Sequence, residues 1–237
     1  MNQSNNPHPP ITNRDDWRKA RIALLEREKA ATRLKDKIAS DRRRLPMVKV
    51  ELDYKFESTN GMVSLRDLFG DSRQLIVYHF MFDPEWESGC LGCTSYIDAL
   101  SIVDLEELSK RDTAFVIVSR APLEKIVEYR KTRKWEFEWV SSFGSSFNYD
   151  FDVTQDASVK PVEYNYRDSD DQTKTGEAAS TSVFFRIGDD IYHTYQTFAR
   201  GNEGTSDSYG LLDLTPYGRQ EDWEDSPEGW PQKPTYG

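Results

Sequence analysis

Two cysteines stand two residues apart in the run Cys90-Leu91-Gly92-Cys93, and they are the only cysteines among 237 residues. At this spacing one sulfur can swing onto the other and close a small disulfide ring. The run follows an apolar segment that reads as a buried strand and opens a segment that reads as a helix. In that setting a Cys-x-x-Cys pair is expected to be a redox dithiol. A helix start supplies unpaired N–H groups and the positive end of the helix dipole. Both favour the thiolate, which is the nucleophile. Cys90, nearer the helix end, is expected to be the exposed, attacking sulfur. Cys93, further in, is expected to be buried and to resolve. Two competing readings are that the pair are merely small buried hydrophobes, or half of a metal site. A structural zinc takes four ligands, and the remaining imidazoles, His8, His79 and His193, have no motif spacing to the pair. No metal site is therefore assigned.

Other side chains bear on this chemistry. Trp86 and Tyr96 flank the dithiol and line a groove there or simply pack. Arg120 follows an apolar strand at its C-terminal end, where ligands bind in open α/β sheets. It holds the Cys90 thiolate or forms a surface ion pair. His79 lies on a strand apolar on both faces and reads as a core residue. His193 lies on a hairpin, and the direction of its side chain is not fixed by the pattern. It is kept as a substrate-binding candidate. Asn148, Tyr149 and 164–166 form an aromatic, amide-rich pattern with no chemistry beyond packing and hydrogen bonding.

The elements that must position these groups follow from periodicity. Residues 14–41 read as one helix, with Ala20, Leu24, Ala31, Leu34 and Ile38 at three/four spacing and Arg27 interrupting. Asp15 and Asp16 at the start and Arg42–Arg44 after the end suit the helix dipole, and Pro46 stops the segment. Residues 47–56 predict one strand, Asn60-Gly61 a turn and 62–65 a second strand, with Ser64 capping the short segment 65–69. Residues 75–82 are apolar on both parities, the mark of a strand covered on both faces. A loop over 83–92 and a helix over 93–110 follow. Next come a central strand at 114–119, a helix at 123–133 and a short strand at 139–142. Residues 152–181 predict a long, partly ordered surface loop. Residues 182–187 and 191–198 form a hairpin about Gly188, and 206–214 a last short helix. Strands alternating with helices imply parallel neighbours, and the closing hairpin makes the sheet mixed. The domain expectation is a disordered leader at 1–13, a helix at 14–44, an α/β domain at 45–215 and a tail at 216–237.

Charge limits the partners. The formal net charge is −10, which argues against a general nucleic-acid binder. Residues 14–44 nevertheless carry a net +6 against −16 for the rest. That contrast suits docking of the helix on an acidic body, or a solvated helix face. The apolar stripe of the helix calls for a surface, supplied by the domain or by a second chain in a homodimer. No apolar run is long enough to span a membrane. The polar, Pro-rich start lacks the apolar core of a secretory signal, so a cytoplasmic location is expected.

Longer blocks carry a family resemblance. They run from Trp17 to the close Asp41-Arg-Arg-Arg-Leu-Pro46, through Leu75-Ile-Val-Tyr-His-Phe-Met-Phe82, Gly89-Cys-Leu-Gly-Cys93 and Val118-Ser-Arg-Ala-Pro122. They continue in Trp139-Val-Ser-Ser142, Phe147-Asn-Tyr-Asp-Phe151, Tyr164-Asn-Tyr166, Tyr192-His-Thr-Tyr195, Ala199-Arg-Gly201 and Leu211-Leu-Asp-Leu-Thr-Pro216. Over roughly 17–220 the chain resembles the thioredoxin-like domain of unknown function 899 family. The resemblance implies a thioredoxin-like fold, a mixed sheet flanked by helices, with a peroxiredoxin-like elaboration and an N-terminal helical extension. It implies no particular reaction. Thioredoxins carry Trp-Cys-Gly-Pro-Cys, whereas here Trp86 stands four residues before Cys90 and the inner pair is Leu-Gly. Peroxiredoxins place Thr or Ser three residues before the reactive cysteine and Pro seven before. Here Glu87 and Asp83 hold those positions, with Ser88 and Pro84 one residue off. Thioredoxin-like oxidoreductases face the dithiol with a cis-Pro, and Ser180-Thr181 occupies that place, which makes Thr181 a substrate-binding candidate.

The expected function is thiol–disulfide exchange without a bound cofactor. Cys90 attacks a disulfide or small-thiol substrate, Cys93 resolves, and a reductase or small thiol returns electrons. The alternatives are a peroxidase, in which Cys93 resolves a Cys90 sulfenic acid, and a thioredoxin-like binding module without turnover.

Overall fold

The computed structural model describes residues 7–205 and 211–234. Of the helix expected over 206–214 and the leader expected over 1–13, residues 206–210 and 1–6 lie outside these. The chain divides into two compact units, Met1–Pro46 with Ser208–Gly237, and Met47–Asp207.

In the first unit, α1 (Arg14–Arg42) is the expected helix. Asn13 caps it, its Oδ1 accepting from the Asp16 N–H at 2.9 Å. Asp15 and Asp16 fill the first turn and Arg42 the last, each favourable to the dipole. No α1 residue is buried, and Leu24, Leu34 and Ile38 remain about half exposed. In the same unit Tyr217 donates to the Pro7 carbonyl at 2.6 Å and packs edge-on to Trp230.

The second unit runs β1 (Val48–Lys49), β2 (Lys55–Ser58), β3 (Gly61–Ser64), β4 (Gln74–His79), α2 (Leu91–Asp98), α3 (Ile102–Ser109), β5 (Thr113–Ser119), α4 (Leu123–Arg133), β6 (Trp139–Ser141) and α5 (Phe147–Asp150). It continues through β7 (Thr154–Gln155), β8 (Glu163–Tyr164), β9 (Arg167–Asp168), β10 (Gly176–Glu177), β11 (Ser180–Ile187) and β12 (Asp190–Phe198). One mixed sheet has the order β1-β12-β11-β4-β5-β6-β2-β3. β4, β5 and β6 are parallel neighbours, and β11 joins β4 and β12 antiparallel.

The strand expected at 47–56 is two strands. β1 pairs with β12 at one end of the strand order, and β2 pairs with β3 and β6 at the other. Residues 50–54 change partners between them. The helix expected at 93–110 is also two. Ser101 opens α3 with a capping box: its Oγ accepts from the Asp104 N–H at 3.2 Å, and the Asp104 carboxylate accepts from the Ser101 N–H at 2.8 Å. Two backbone donors are thereby satisfied at a fresh helix start. Residues 152–181 are more ordered than a surface loop, holding the short pairs β7–β10 and β8–β9.

Both faces of the sheet are covered, which is why 75–82 is apolar on both parities. Leu75 and Val77 of β4 join one core with Phe56, Phe69, Phe147 and Phe184. Tyr78 and Phe80 join the other with Phe82, Cys93, Ile97, Ile126 and Trp139, where α2 and α4 pack. The dithiol belongs to this second face.

Candidate functional site

The site is built on the turn from β4 into α2. After His79 the chain is held against the next strand: Phe80 N–H donates to the Val118 carbonyl at 2.9 Å, and Ser119 Oγ donates to the Phe80 carbonyl at 2.7 Å. The loop then returns on itself, with the Cys90 N–H donating to the Met81 carbonyl at 3.0 Å. Lys125 Nζ on α4 ties down the loop through the Pro84 and Trp86 carbonyls at 2.6 and 3.1 Å. Gly89 gives Cys90 its place. A Cβ there would stand 2.5 Å from Phe80 Cε1, and that ring is wedged among Tyr129, Trp135 and Trp139. Gly89→Ala is therefore expected to cost about 1–3 kcal/mol by overpacking and to displace Cys90. Denaturant unfolding and the Cys90 alkylation rate read the two effects. Unchanged values for both would show that Phe80 yields freely.

Cys90 is the N-cap of α2, with no acidic residue in the first turn. Its side chain makes no capping hydrogen bond, but the sulfur stands at the positive end of the helix, where a negative charge is favoured. The neighbours that favour its charged form are the Cys93 thiol and the backbone N–H groups of Cys93 and Gly92. These donors outweigh partial burial and draw the Cys90 thiol down to about 6, led by the Cys93 bond. Cys93 is the converse. It is 1 % exposed, and its proton is held by the bond to Cys90, by burial and by the Cys90 charge, which push its pKa well up. Tyr78 and the Met81 backbone pull the other way without reversing the rise. The fold thus sorts two like thiols into one partly buried group that favours the thiolate and one buried thiol. Both cysteines are free. Thr94 Oγ1 bonds the Cys90 carbonyl and the Tyr129 hydroxyl, both at 2.8 Å, bracing this helix start against α4.

The remaining candidates divide. Trp86 is half-buried against the same core as the dithiol. Thr181 lies on β11 directly opposite Tyr78, beside the Tyr96 hydroxyl. Tyr96 stacks on Tyr78 at 4.4 Å and bonds Thr205 Oγ1 at 2.8 Å. Trp86 and Thr181 are therefore on the dithiol's side of the sheet. His193 is not. It faces Phe151 and Phe184 at 5.1 and 5.3 Å, in the opposite core, and burial lowers its pKa.

Arg120 is committed elsewhere. It pairs with Asp83 and with Glu177 at 2.8 Å, and reaches the Tyr149 hydroxyl at 3.4 Å. Glu177 is itself 1 % exposed, and Thr154 also bonds it. This is a part-buried network, neither a surface pair nor a contact to the Cys90 sulfur. The core reading of His79 agrees with its environment. It is buried, stacked on Phe147 at 5.5 Å and bonded to Ser182 Oγ at 2.8 Å. Burial, with His193 nearby, drives its pKa to about 3.

Sequence reading missed Tyr78 and Thr94. Tyr78 sits in a stretch whose parity carries no signal, because both faces are apolar. Thr94 could have been found as the first residue after the pair, one helical turn beyond Cys90. Among the described residues no group of three or more His, Cys, Asp or Glu could hold a metal ion, and no helix is long and apolar enough to cross a membrane.

A β4–α2–β5 crossover unit, an antiparallel β11–β12 pair and the order β5-β4-β11-β12, with the dithiol at the α2 start, define a thioredoxin-like protein. The chain belongs to the family described as bacterial proteins of unknown function DUF899, whose family model matches residues 6–236. No curated protein matches it in sequence. Among solved structures it is similar to a PrxQ mutant of Xylella fastidiosa, at 13 % identity and TM-score 0.44 over 70 % of this chain and 94 % of that one. It is also similar to the bacterioferritin comigratory protein of Xanthomonas campestris, at 15 % identity and TM-score 0.44 over 69 % of this chain and 96 % of that one. A third is the peroxidoxin BcpB of Mycobacterium tuberculosis, at 15 % identity and TM-score 0.44 over 68 % of this chain and 92 % of that one.

Proposed function

We propose that this protein is a thiol–disulfide oxidoreductase in which Cys90 is the nucleophile and Cys93 the resolving thiol. The observation that carries the reading is the asymmetry of the pair. Cys90, drawn down to about 6 by its donors, is mostly thiolate near neutral pH. Cys93, buried and pushed up, keeps its proton until Cys90 has reacted. Cys90 attacks one sulfur of a substrate disulfide, and the other leaves as a thiol. Cys93 then bonds to Cys90, and the second substrate sulfur leaves. One disulfide is consumed per chain, two substrate thiols appear, and the Cys90–Cys93 disulfide forms. A reductase or small thiol reverses the last change. Trp86 and Thr181, on the same side of the sheet, are the side chains against which a substrate would lie.

The test is to mix reduced protein with a small-molecule disulfide. One equivalent per chain should be consumed, and mass spectrometry should find the Cys90–Cys93 bond. Disulfide left intact, with sulfenic acid accumulating on Cys90 when peroxide is offered, would support the peroxidase instead.

A second expectation concerns pH. Cys90 alkylation should be half-maximal at about pH 6, well below an ordinary thiol at ~8.5, with Cys93 lagging. The folded value lies below the unfolded one, so the thiolate contributes stability above the ordinary thiol range. That contribution is lost as pH falls through about 6. Half-maximal alkylation only above pH ~8 would remove Cys90 as a thiolate nucleophile.

A further inference from the structure

Lys125 stands where electrostatics alone would not put a cation. It is the third residue of α4, and its backbone N–H closes the first turn on the Pro122 carbonyl at 3.1 Å. That end of a helix is positive and favours anions. The side chain is part-buried, and among the described residues it forms no ion pair with a carboxylate. Its ammonium bonds two neutral acceptors instead, the Pro84 carbonyl at 2.6 Å and the Trp86 carbonyl at 3.1 Å. Fixing so long a side chain also costs rotamer freedom. The packing of α4 does not call for it, since Ile126 and Tyr129 carry that helix into the core. A local preference broken without a packing gain is expected at functional sites.

The two carbonyls belong to the loop that delivers Cys90. Residues 83–86 form a turn, in which the Trp86 N–H donates to the Asp83 carbonyl at 3.1 Å and the Glu85 N–H to Asp83 Oδ1 at 2.9 Å. Arg120 anchors Asp83 at one end of the loop. The Met81 carbonyl holds the Cys90 N–H at the other, at 3.0 Å. Between these ends, among the described residues, Lys125 is the one side chain from another element that hydrogen-bonds the loop. It fixes the backbone of Trp86, whose side chain packs part-buried against the core that holds Cys93. Glu85, Glu87 and Ser88 are exposed. Without the ammonium, the middle of the loop has no tie to α4.

We propose that Lys125 is a positioning residue for the attack by Cys90. It holds the 84–86 backbone so that Trp86 stands as a fixed wall, against which a polypeptide carrying the substrate disulfide docks. Lys125 touches no reacting atom and moves no proton, so the sulfur exchange among Cys90, Cys93 and substrate is the same with or without it. Its effect falls on docking, and hence on KM, rather than on the thiolate. This role rests on the oxidoreductase reading for its place in the cycle, whereas the tie from Lys125 to the loop does not.

The test compares the parent protein with Lys125→Met, which keeps an unbranched stem and removes the donors, with Lys125→Arg, which keeps donors, and with Trp86→Ala. Insulin is the protein disulfide, with dithiothreitol returning the electrons, and Ellman's reagent is the small disulfide that needs no docking. Lys125→Met is expected to raise KM for insulin about tenfold, the scale of one hydrogen bond to a charged group, with kcat little changed. The rate of Cys90 attack on Ellman's reagent and the Cys90 alkylation midpoint, about 6, should stay in place. Lys125→Arg should restore most of the lost KM. Trp86→Ala should give a comparable rise, and Lys125→Met with Trp86→Ala no more than either alone, because both remove the same wall. An unchanged KM in Lys125→Met, losses that multiply in the double variant, or an alkylation midpoint that moves with Lys125→Met each overturns the positioning role. So does a parent that reacts with Ellman's reagent but leaves insulin intact. A parent inert to both disulfides overturns the dithiol reading, and with it the place of Lys125 in the cycle.

Discussion

In a Cys93→Ser protein, substrates accumulate covalently on Cys90, and in Cys90→Ser none do. Catalytic reduction of disulfides falls to background in both. The serine hydroxyl holds its proton far above neutral pH and cannot displace substrate from the mixed disulfide, so the adduct persists until an external thiol attacks it. The substitution also acts on the first step. The Cys93 thiol is the leading donor to Cys90, with the N–H groups of Cys93 and Gly92 behind it. Serine still offers an O–H and keeps the backbone, so Cys90 stays a thiolate and trapping is fast. Cys93→Ala removes that donor, and Cys90 alkylation should then reach half-maximum above pH 6. Non-reducing gels of cell extract, followed by mass spectrometry of Cys90, read the adducts. Oxidised Cys90 after peroxide, with few protein adducts, would instead mark a peroxidase. A Cys90 bearing neither adduct nor oxidation would leave a thioredoxin-like binding module.

How the site could be read from sequence depends on how local each signal is. The Cys90–Cys93 pair, its place between a strand and a helix, and the capping of α1 by Asn13 are near-neighbour features, and the residue types dictate them. Parity is less local. The apolar run at 75–82 announces a strand covered on both sides, but such a run cannot say that Tyr78 points to the dithiol and His79 away from it. Only pairing with β11 and β5 decides that. The same holds for His193, whose alternation on β12 fixes its neighbours but not its face. The missed break between α2 and α3 is of a different kind. Ser101-Ile-Val-Asp104 is a local capping signal, overridden in reading by an apolar period that continues through it. The split of 47–56 was not legible, because β1 and β2 differ in partner rather than in residue type. Arg120 was legible in position, at the end of a parallel strand, but not in role. Its partners Asp83, Tyr149 and Glu177 lie 37, 29 and 57 residues away along the chain.

That network makes Arg120→Met the substitution with the largest expected effect on stability. Arg120 bridges Asp83 and a Glu177 carboxylate whose side chain is 1 % exposed. Burial already raises the Glu177 pKa, against the opposing pull of Arg120. Removing the cation leaves a buried charge uncompensated, a loss of about 3–5 kcal/mol where one partner of a buried pair is deleted. The sign of the pH dependence follows. A carboxyl whose folded pKa is raised contributes stability below its unfolded value and loses it as pH rises through the folded value. Without Arg120 the folded value climbs further, so the deficit against the parent protein should be largest near neutral pH and shrink on acidification. Arg120→Met with Glu177→Gln should recover part of the loss, since the buried group is then neutral. Denaturant unfolding at several pH values measures all three proteins. The Cys90 alkylation profile decides what the network does for the dithiol. The donors that hold Cys90 at about 6 are Cys93 and the N–H groups of α2, so the profile should stay in place while stability falls. A stable Arg120→Met protein whose Cys90 midpoint moves up would reverse the assignment and make Arg120 a support of the thiolate, because a structural ion pair has no means of shifting that titration.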